Sequence, residues 1–144
     1  VRAASTGEDY LPETLRAARV PPSARHKRIE IAHYRATVRA VVGRDLSAAY
    51  VFARRLEPKL AEVAGEDEAG ACVDVGGSPW LLLPADASPG LVAHEALHAA
   101  VVVAEHAGLP VSAAADEVLC YMIEAIVDAI TPWLAAFARA QCEK

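Results

Sequence analysis

Residues 71–100, ACVDVGGSPWLLLPADASPGLVAHEALHAA, contain the strongest structural signals in the 144-residue chain. Two short apolar runs flank the glycine pair at 76–77, which is typical of a β-hairpin with a tight turn. Ser88 followed by Pro89 fits the cap and the first position of a helix, and we expect this helix to reach about His106. The stretch therefore predicts a hairpin that leads directly into a helix.

The predicted helix carries the motif His-Glu-Ala-Leu-His at residues 94–98. At a spacing of four residues, His94 and His98 project from the same helical face one turn apart, where two imidazoles can hold one metal ion. Glu95 lies beside them and can accept a proton from a bound water molecule. The alternative is that two histidines merely pack in a helix rich in Ala and Val, but buried histidines need polar partners. The motif therefore favours a Zn2+ site, with Glu95 as the general base.

A catalytic zinc site needs a third protein ligand and an open position for water. The next predicted helix begins at residue 112 or 116 and continues to about residue 130. If the two helices fold back antiparallel, Glu117 lies at about the same depth as His98, ~15 Å from the intervening turn. Glu124 is the rival ligand, on the same face and seven residues further on, and a ligand elsewhere in the chain is a third alternative.

Outside this stretch the sequence predicts further elements of both kinds. Alternating and β-branched residues at 29–42 indicate one long strand or a pair of strands. Asp45 can cap a helix that continues to about Leu60. Residues 65–70 have the composition of a polar loop, and residues 131–140, TPWLAAFARA, predict a short separate amphipathic helix.

Length and composition indicate one globular domain. A chain of 144 residues has the size of a single domain, and 54% hydrophobic with 23% charged residues is enough to form a core. Residues 1–28 are mixed in composition and contain three prolines, so we expect an N-terminal arm there. The domain itself is expected over 29–144.

The charge is unevenly distributed along the sequence. Fourteen Lys and Arg against nineteen Asp and Glu give a net charge of −5, which argues against a nucleic-acid partner. Residues 1–60 carry 12 basic and 6 acidic side chains, whereas residues 61–144 carry 2 and 13. No Lys or Arg occurs between Lys59 and Arg139. An acidic half of this kind suits a cation site or a basic substrate, and a solvated acidic surface is the alternative.

Cysteine usage and hydropathy predict a cytoplasmic protein. The three cysteines, Cys72, Cys120 and Cys142, contain no C-x-x-C spacing, which favours free thiols in a reducing compartment. The chain has no run of about 18 consecutive apolar residues and no signal-peptide pattern at its beginning. We therefore expect no membrane association.

The motifs together resemble a known group of proteins. GLVAHEALHAA at 90–100, GLPVS at 108–112 and DEVLCYM at 116–122 are similar to the small zinc metallopeptidases encoded by tailed bacteriophages and prophages. The resemblance extends upstream to YRATVRAVVGRDL at 34–46 and GGSPWLLLP at 76–84, and its most specific part is the H-E-x-x-H motif. It implies a protein that acts in the cytoplasm of a bacterial host cell.

The same resemblance implies roles for individual residues. His94, His98 and Glu117 would be the zinc ligands and Glu95 the base, as in the gluzincin type of metallopeptidase. Thermolysin-like enzymes carry an aspartate four residues after the glutamate ligand, whereas this chain has Tyr121. Support for the histidines would then come from Glu124 or from a backbone carbonyl.

These observations predict an α+β, zincin-like fold, in which a small, mostly antiparallel sheet packs on the H-E-x-x-H helix and on a following glutamate helix. The predicted activity is zinc-dependent hydrolysis of a protein or peptide substrate, which would pair with an edge strand at Trp80–Leu83. Tyr121 is a candidate for stabilising the oxyanion. The alternatives are a non-catalytic zinc-binding phage protein of structural or regulatory function, and a repressor-directed protease of the ImmA/IrrE type. The sequence leaves the oligomeric state open.

Overall fold

The computed structural model describes residues 23–62, 69–109 and 116–143. The predicted arm up to residue 22 and most of the predicted loop at 65–70 lie outside the described residues. The described residues form a small mixed four-stranded sheet and three α-helices, so the fold class is α+β as expected.

Two strands are followed by one helix, and two further strands are followed by two helices. In chain order they are β1 (Ala24–Ile31), β2 (Ala36–Gly43), α1 (Leu46–Leu56), β3 (Ala71–Val75), β4 (Ser78–Pro84), α2 (Pro89–His106) and α3 (Asp116–Cys142). Short 3-10 turns occupy Ala32–Tyr34 and Pro58–Glu62. The prediction of a pair of strands at 29–42 is confirmed, although β1 already begins at Ala24, before the expected domain boundary.

The sheet consists of two antiparallel hairpins joined side by side. Its strand order is β1-β2-β4-β3, with antiparallel pairing of β1 with β2 and of β3 with β4. The join between the hairpins is the parallel pairing of β2 with β4. The prediction that Trp80–Leu83 forms an edge strand is therefore wrong, because β4 lies inside the sheet.

Both faces of the sheet are covered at β4. Trp80 and Leu82 pack in the cluster of buried residues under α1, whereas Leu81 and Leu83 pack in the cluster under α2 and α3. A strand buried on both faces has an almost continuous apolar sequence, as this one does. On the second face, α2 lies over β4 and β3, and α3 lies over β1 and β2.

Helix α2 has the predicted bounds. The Ser88 side chain accepts a hydrogen bond of 3.1 Å from the backbone N–H of Leu91, and Pro89 occupies the first turn. After His106, Gly108 has a φ of +72°, in the left-handed region that glycine tolerates best. The predicted cap and stop of this helix are both confirmed.

Helix α3 is a single helix of 27 residues, so the prediction of a separate helix after Thr131 is wrong. Pro132 removes the hydrogen bond that its N–H would donate to the carbonyl of Asp128, but both residues are exposed, and water can satisfy that carbonyl. The buried stripe continues past the proline through Leu134 and Phe137. Burial of this stripe stabilises the helix across the interruption.

Helix α3 is also long and apolar enough, by length and composition alone, to cross a membrane. The mean hydropathy of its most apolar 18-residue window is 1.5. One face of α3 packs on β1 and β2, and 28% of that window is buried.

Candidate functional site

A cleft of about 820 Å³ lies between β3 and α2, and we call it the α2–β3 cleft. One wall consists of β3 and the two residues before it. The other wall is one face of α2, where the motif histidines lie. The cleft is lined on the helix side by Leu91, His94, Glu95, His98, Val101 and Val102, and on the strand side chiefly by Gly70, Cys72 and Asp74.

The two histidines of the motif point into this cleft close together. The Nε2 atoms of His94 and His98 are 3.2 Å apart, and both side chains are exposed. Two nitrogen ligands of one tetrahedral zinc ion, each about 2.05 Å from the metal, would lie about 3.3 Å apart. Without a metal, the same distance suits an N–H···N hydrogen bond between neutral rings. The pair therefore has the separation that a shared zinc ion requires.

Glu95 is the buried polar residue of the motif, with only 5% of its surface exposed. It faces the beginning of β3, since a Cβ atom added at Gly70 would lie 3.4 Å from its Oε1 atom. Burial, followed by the charges of Glu95 and Asp74, raises the pKa of the Cys72 thiol to about 12. Glu95, the Cys72 thiol and the start of β3 therefore lie together in the cleft.

The other end of the cleft is held by a contact between the hairpin and the end of α2. Asp74 accepts a 2.8 Å hydrogen bond at Oδ1 from the backbone N–H of Gly77, and its Oδ2 atom lies 3.2 Å from Nε2 of His106. The His106 ring packs against the turn so closely that a Cβ atom at Gly77 would lie 2.7 Å from Nδ1. We call the contacts of Asp74, Gly77 and His106 the hairpin clasp. Together with the packing at Gly70, the clasp fixes β3 along the length of α2.

Strand β3 presents backbone groups to the open side of the cleft. Gly76 and Gly77 have φ values of +58° and +88°, as in a two-residue type I′ turn, so Val75 and Ser78 form the hydrogen-bonded pair that closes it. Because such pairs alternate along an antiparallel ladder, the N–H and C=O groups of Cys72 and Asp74 point away from β4. No described strand pairs with that edge. The open sheet edge that was expected at Trp80–Leu83 therefore lies at β3.

The predicted third ligand is not brought to the histidines in the described part of the chain. Val92 lines a small cavity with Thr131, so the start of α2 lies beside the middle of α3. Glu117 lies about 21 Å from Thr131 along α3, whereas His98 lies about 9 Å from Val92 along α2. Glu124, about 10 Å from Thr131, is therefore nearer in depth to His98 than Glu117 is.

The lateral position of α3 also separates its carboxylates from the cleft. Because α3 lies over β1 and β2, it packs on the side of α2 opposite to β3. The described residues contain no group of three or more His, Cys, Asp or Glu side chains placed to hold one metal ion. Assignment of Glu117 as a ligand stays a prediction.

Tyr121 also lies away from the α2–β3 cleft. It is 67% exposed and lines a different cavity of about 430 Å³, next to the 3-10 turn that contains His33 and Tyr34. Its position on the outer face of α3 explains this separation. The structure thus gives no contact through which Tyr121 would stabilise an oxyanion in the α2–β3 cleft.

Sequence reasoning missed Asp74 as a site residue. The available signal was its place three residues before Gly77, where an aspartate side chain commonly accepts a hydrogen bond from a turn. Its contact with His106 joins residues 32 positions apart, and no local pattern predicts such a pair.

Comparison of the chain with protein-family models, with curated proteins and with solved structures gave no match.

Proposed function

We propose that the chain is a zinc-dependent metallopeptidase of the gluzincin type, with a zincin-like arrangement of sheet and helices. The observation that supports this proposal most strongly is the 3.2 Å separation of the His94 and His98 Nε2 atoms. These atoms lie beside the buried Glu95, in a cleft that has an edge strand as one wall. A structural zinc site has no need of a carboxylate base between its histidines. This is why hydrolysis is favoured over the non-catalytic alternative.

In this proposal zinc is held by His94, His98 and a carboxylate. Family resemblance supports Glu117 as that carboxylate, whereas the depth along α3 supports Glu124. Either residue needs α3 to approach the cleft more closely than it does in the described arrangement. A bound zinc ion would lower the pKa of a water molecule to near 7 and polarise a substrate carbonyl.

The residues of the chain supply the remaining steps. Glu95 accepts the proton of the attacking water and later donates it to the leaving amine. The outward N–H and C=O groups of Cys72 and Asp74 pair with the backbone of an extended peptide, which then lies as a fifth strand along the cleft. Tyr121 has no role in this mechanism because of its position on α3. The proposed substrate is a protein or peptide of the bacterial cytoplasm.

Zinc binding and turnover test the proposal separately. We expect about one zinc ion per chain by elemental analysis, and loss of that zinc in the double variant His94→Ala/His98→Ala. His33→Ala is the matched control, because His33 is exposed and lines another cavity. Glu95→Gln should keep the zinc and lose cleavage of a denatured protein substrate, since an amide cannot accept the proton.

Each outcome separates the alternatives. Stoichiometric zinc that survives loss of both histidines overturns the proposed site. Zinc binding without any cleavage of peptides or proteins supports a structural or regulatory zinc protein. Cleavage restricted to a repressor protein, in a screen of candidate substrates, supports the ImmA/IrrE type of function.

The third ligand is tested by zinc titration of Glu117→Ala and Glu124→Ala side by side. Loss of a direct ligand should weaken zinc binding more strongly than loss of a supporting group, for which a 10- to 100-fold effect, by order of magnitude, is usual. A larger loss in the Glu117 variant supports the resemblance. A larger loss in the Glu124 variant identifies Glu124 as the ligand.

A further inference from the structure

Asp74 is the acidic side chain on the strand wall of the α2–β3 cleft. Its side chain is 42% exposed, so a ligand in the cleft can reach it. The hydrogen bond from Gly77 fixes one carboxylate oxygen, and His106 lies against the other. The carboxylate is therefore oriented before any ligand arrives, which reduces the entropy lost on binding.

The described residues around Asp74 in the cleft carry no fixed positive charge. None of the described residues that line the cleft is Lys or Arg. The sequence itself has no Lys or Arg from residue 60 to residue 138. The side chain in contact with Asp74 is His106, whose Nε2 atom lies 3.2 Å from Oδ2. Apart from the zinc ion proposed at His94 and His98, a cationic side chain entering the cleft meets a carboxylate and no permanent positive charge.

The position of Asp74 relative to Glu95 sets a distance along a bound peptide. Glu95 lies against Gly70, where an added Cβ atom would be 3.4 Å from its Oε1 atom, and Cys72 lines the same part of the cleft. Asp74 is two residues beyond Cys72 and four beyond Gly70, and its side chain lies on the same face, about 6.6 to 13 Å further along. A peptide paired with β3 has the same two-residue repeat. A side chain facing Asp74 therefore belongs to a residue about two to four positions from the bond near Glu95.

From this geometry we infer that Asp74 is a specificity residue, which selects extended peptides with a lysine or arginine about two to four residues from the bond to be cleaved. The inference rests on the proposed peptidase function and names the substrate class of the same cleft. The apolar side chains of Leu91, Val101 and Val102 line the rest of the helix wall. They provide contact for the aliphatic stem of such a side chain.

Peptide binding tests the inference independently of cleavage. The probes are three fluorescein-labelled decapeptides of Thr, Val and Ser that differ only in one central residue, which is Lys, Gln or Glu. Fluorescence anisotropy is measured with the full chain in the presence of a chelator, at low and at high salt. We expect the Lys peptide to bind about three- to tenfold more tightly than the Gln peptide at low salt, and the Glu peptide to bind most weakly.

Variants then locate the origin of this preference. Asp74→Asn removes the charge while its amide oxygen can still accept the hydrogen bond from Gly77, and it should abolish the difference between the Lys and Gln peptides. Asp74→Ser is a second variant that also keeps a possible acceptor. Asp86→Asn is the matched control, because Asp86 is exposed and is not among the described residues lining the cleft. It should leave the preference unchanged.

The remaining outcomes overturn the inference. These are equal binding of the Lys and Gln peptides, absence of binding by all three, persistence of the preference in both Asp74 variants, and loss of the preference in Asp86→Asn. Failure of the proposed function gives a different result. A chain that binds no zinc, yet ranks the three peptides by charge through Asp74, has the basic-peptide site without the cleavage.

Discussion

Substitution of Gly77 by alanine should destabilise the protein more than the same change at its neighbour Gly76. Both glycines have positive φ, so alanine at either position costs about 1 to 2 kcal/mol in backbone conformation. At Gly76 the added Cβ meets no described atom within 4 Å. At Gly77 it would lie 2.7 Å from Nδ1 and 2.9 Å from Cγ of His106, so the ring must move.

The extra cost at Gly77 can be worked from the contact that the ring would lose. His106 and Asp74 are 50% and 42% exposed, and pairs of this kind contribute about 0.2 to 1 kcal/mol. We therefore expect Gly76→Ala to lower the free energy of unfolding by about 1 kcal/mol and Gly77→Ala by about 2 kcal/mol. Both estimates count only the backbone conformation of the substituted residue and, at Gly77, the contact with His106.

Urea unfolding followed by tryptophan fluorescence measures both effects. A double-mutant cycle with His106→Ala separates the ring contact from the backbone term, because the backbone term is the same in both backgrounds. In the His106→Ala background the cost of Gly77→Ala should fall by about 0.5 to 1 kcal/mol. An equal cost of Gly77→Ala with and without His106 would refute the hairpin clasp as the cause.

Two further predictions concern titrating side chains. With a chelator present at pH 8, Cys72 should react with iodoacetamide at least about tenfold more slowly than the exposed Cys120 and Cys142. The reason is that the pKa of Cys72 is raised to about 12 and only the thiolate reacts. Peptide mass spectrometry measures the rates of the three cysteines, and equal rates would contradict the prediction. Burial, with two arginines nearby, lowers the pKa of His26, which stacks on Trp80 at 5.7 Å between ring centroids. Because the unfolded chain then binds the proton more readily, stability should fall as the pH decreases from about 6.5 towards the lowered pKa. His26→Phe keeps the stacking and should lose less stability between pH 7.5 and 5.5 in urea unfolding, whereas an equal loss would exclude His26 as a source of acid sensitivity.

Local signals in the sequence were sufficient for the hairpin and for α2. The glycine pair at 76–77 and the cap formed by Ser88 each act within four residues, so their effect does not depend on the rest of the fold. The place of β4 in the sheet depends instead on its pairing with β2, whose partner residues lie 41 positions away in the chain. The continuous apolar run at 79–83 is typical of a strand covered on both faces, which favours an internal position over an edge.

The candidate site was likewise predictable only where the spacing of residues within one helix determines it. The spacing of His94 and His98 fixes their relation within one helix, whereas the relation of α2 to Glu117 depends on the register of two separate helices. A shift of seven residues along one helix changes the level at which its side chains face the other helix by about 10 Å. Asp74 reaches His106 through tertiary packing, which the sequence pattern does not specify.

The side-by-side hairpins also have a consequence for the order of folding. Partners within each hairpin are close in the chain, as Val75 and Ser78 are, whereas Arg39 and Trp80, paired across the parallel β2–β4 join, are 41 residues apart. Hairpins form in about 1 to 10 μs, but distant pairing must first overcome the entropy of closing a long loop. The two hairpins are therefore expected to form early and to dock late. Because β3 belongs to one hairpin and α2 follows it directly, both walls of the cleft come from a single early-folding segment of about 36 residues.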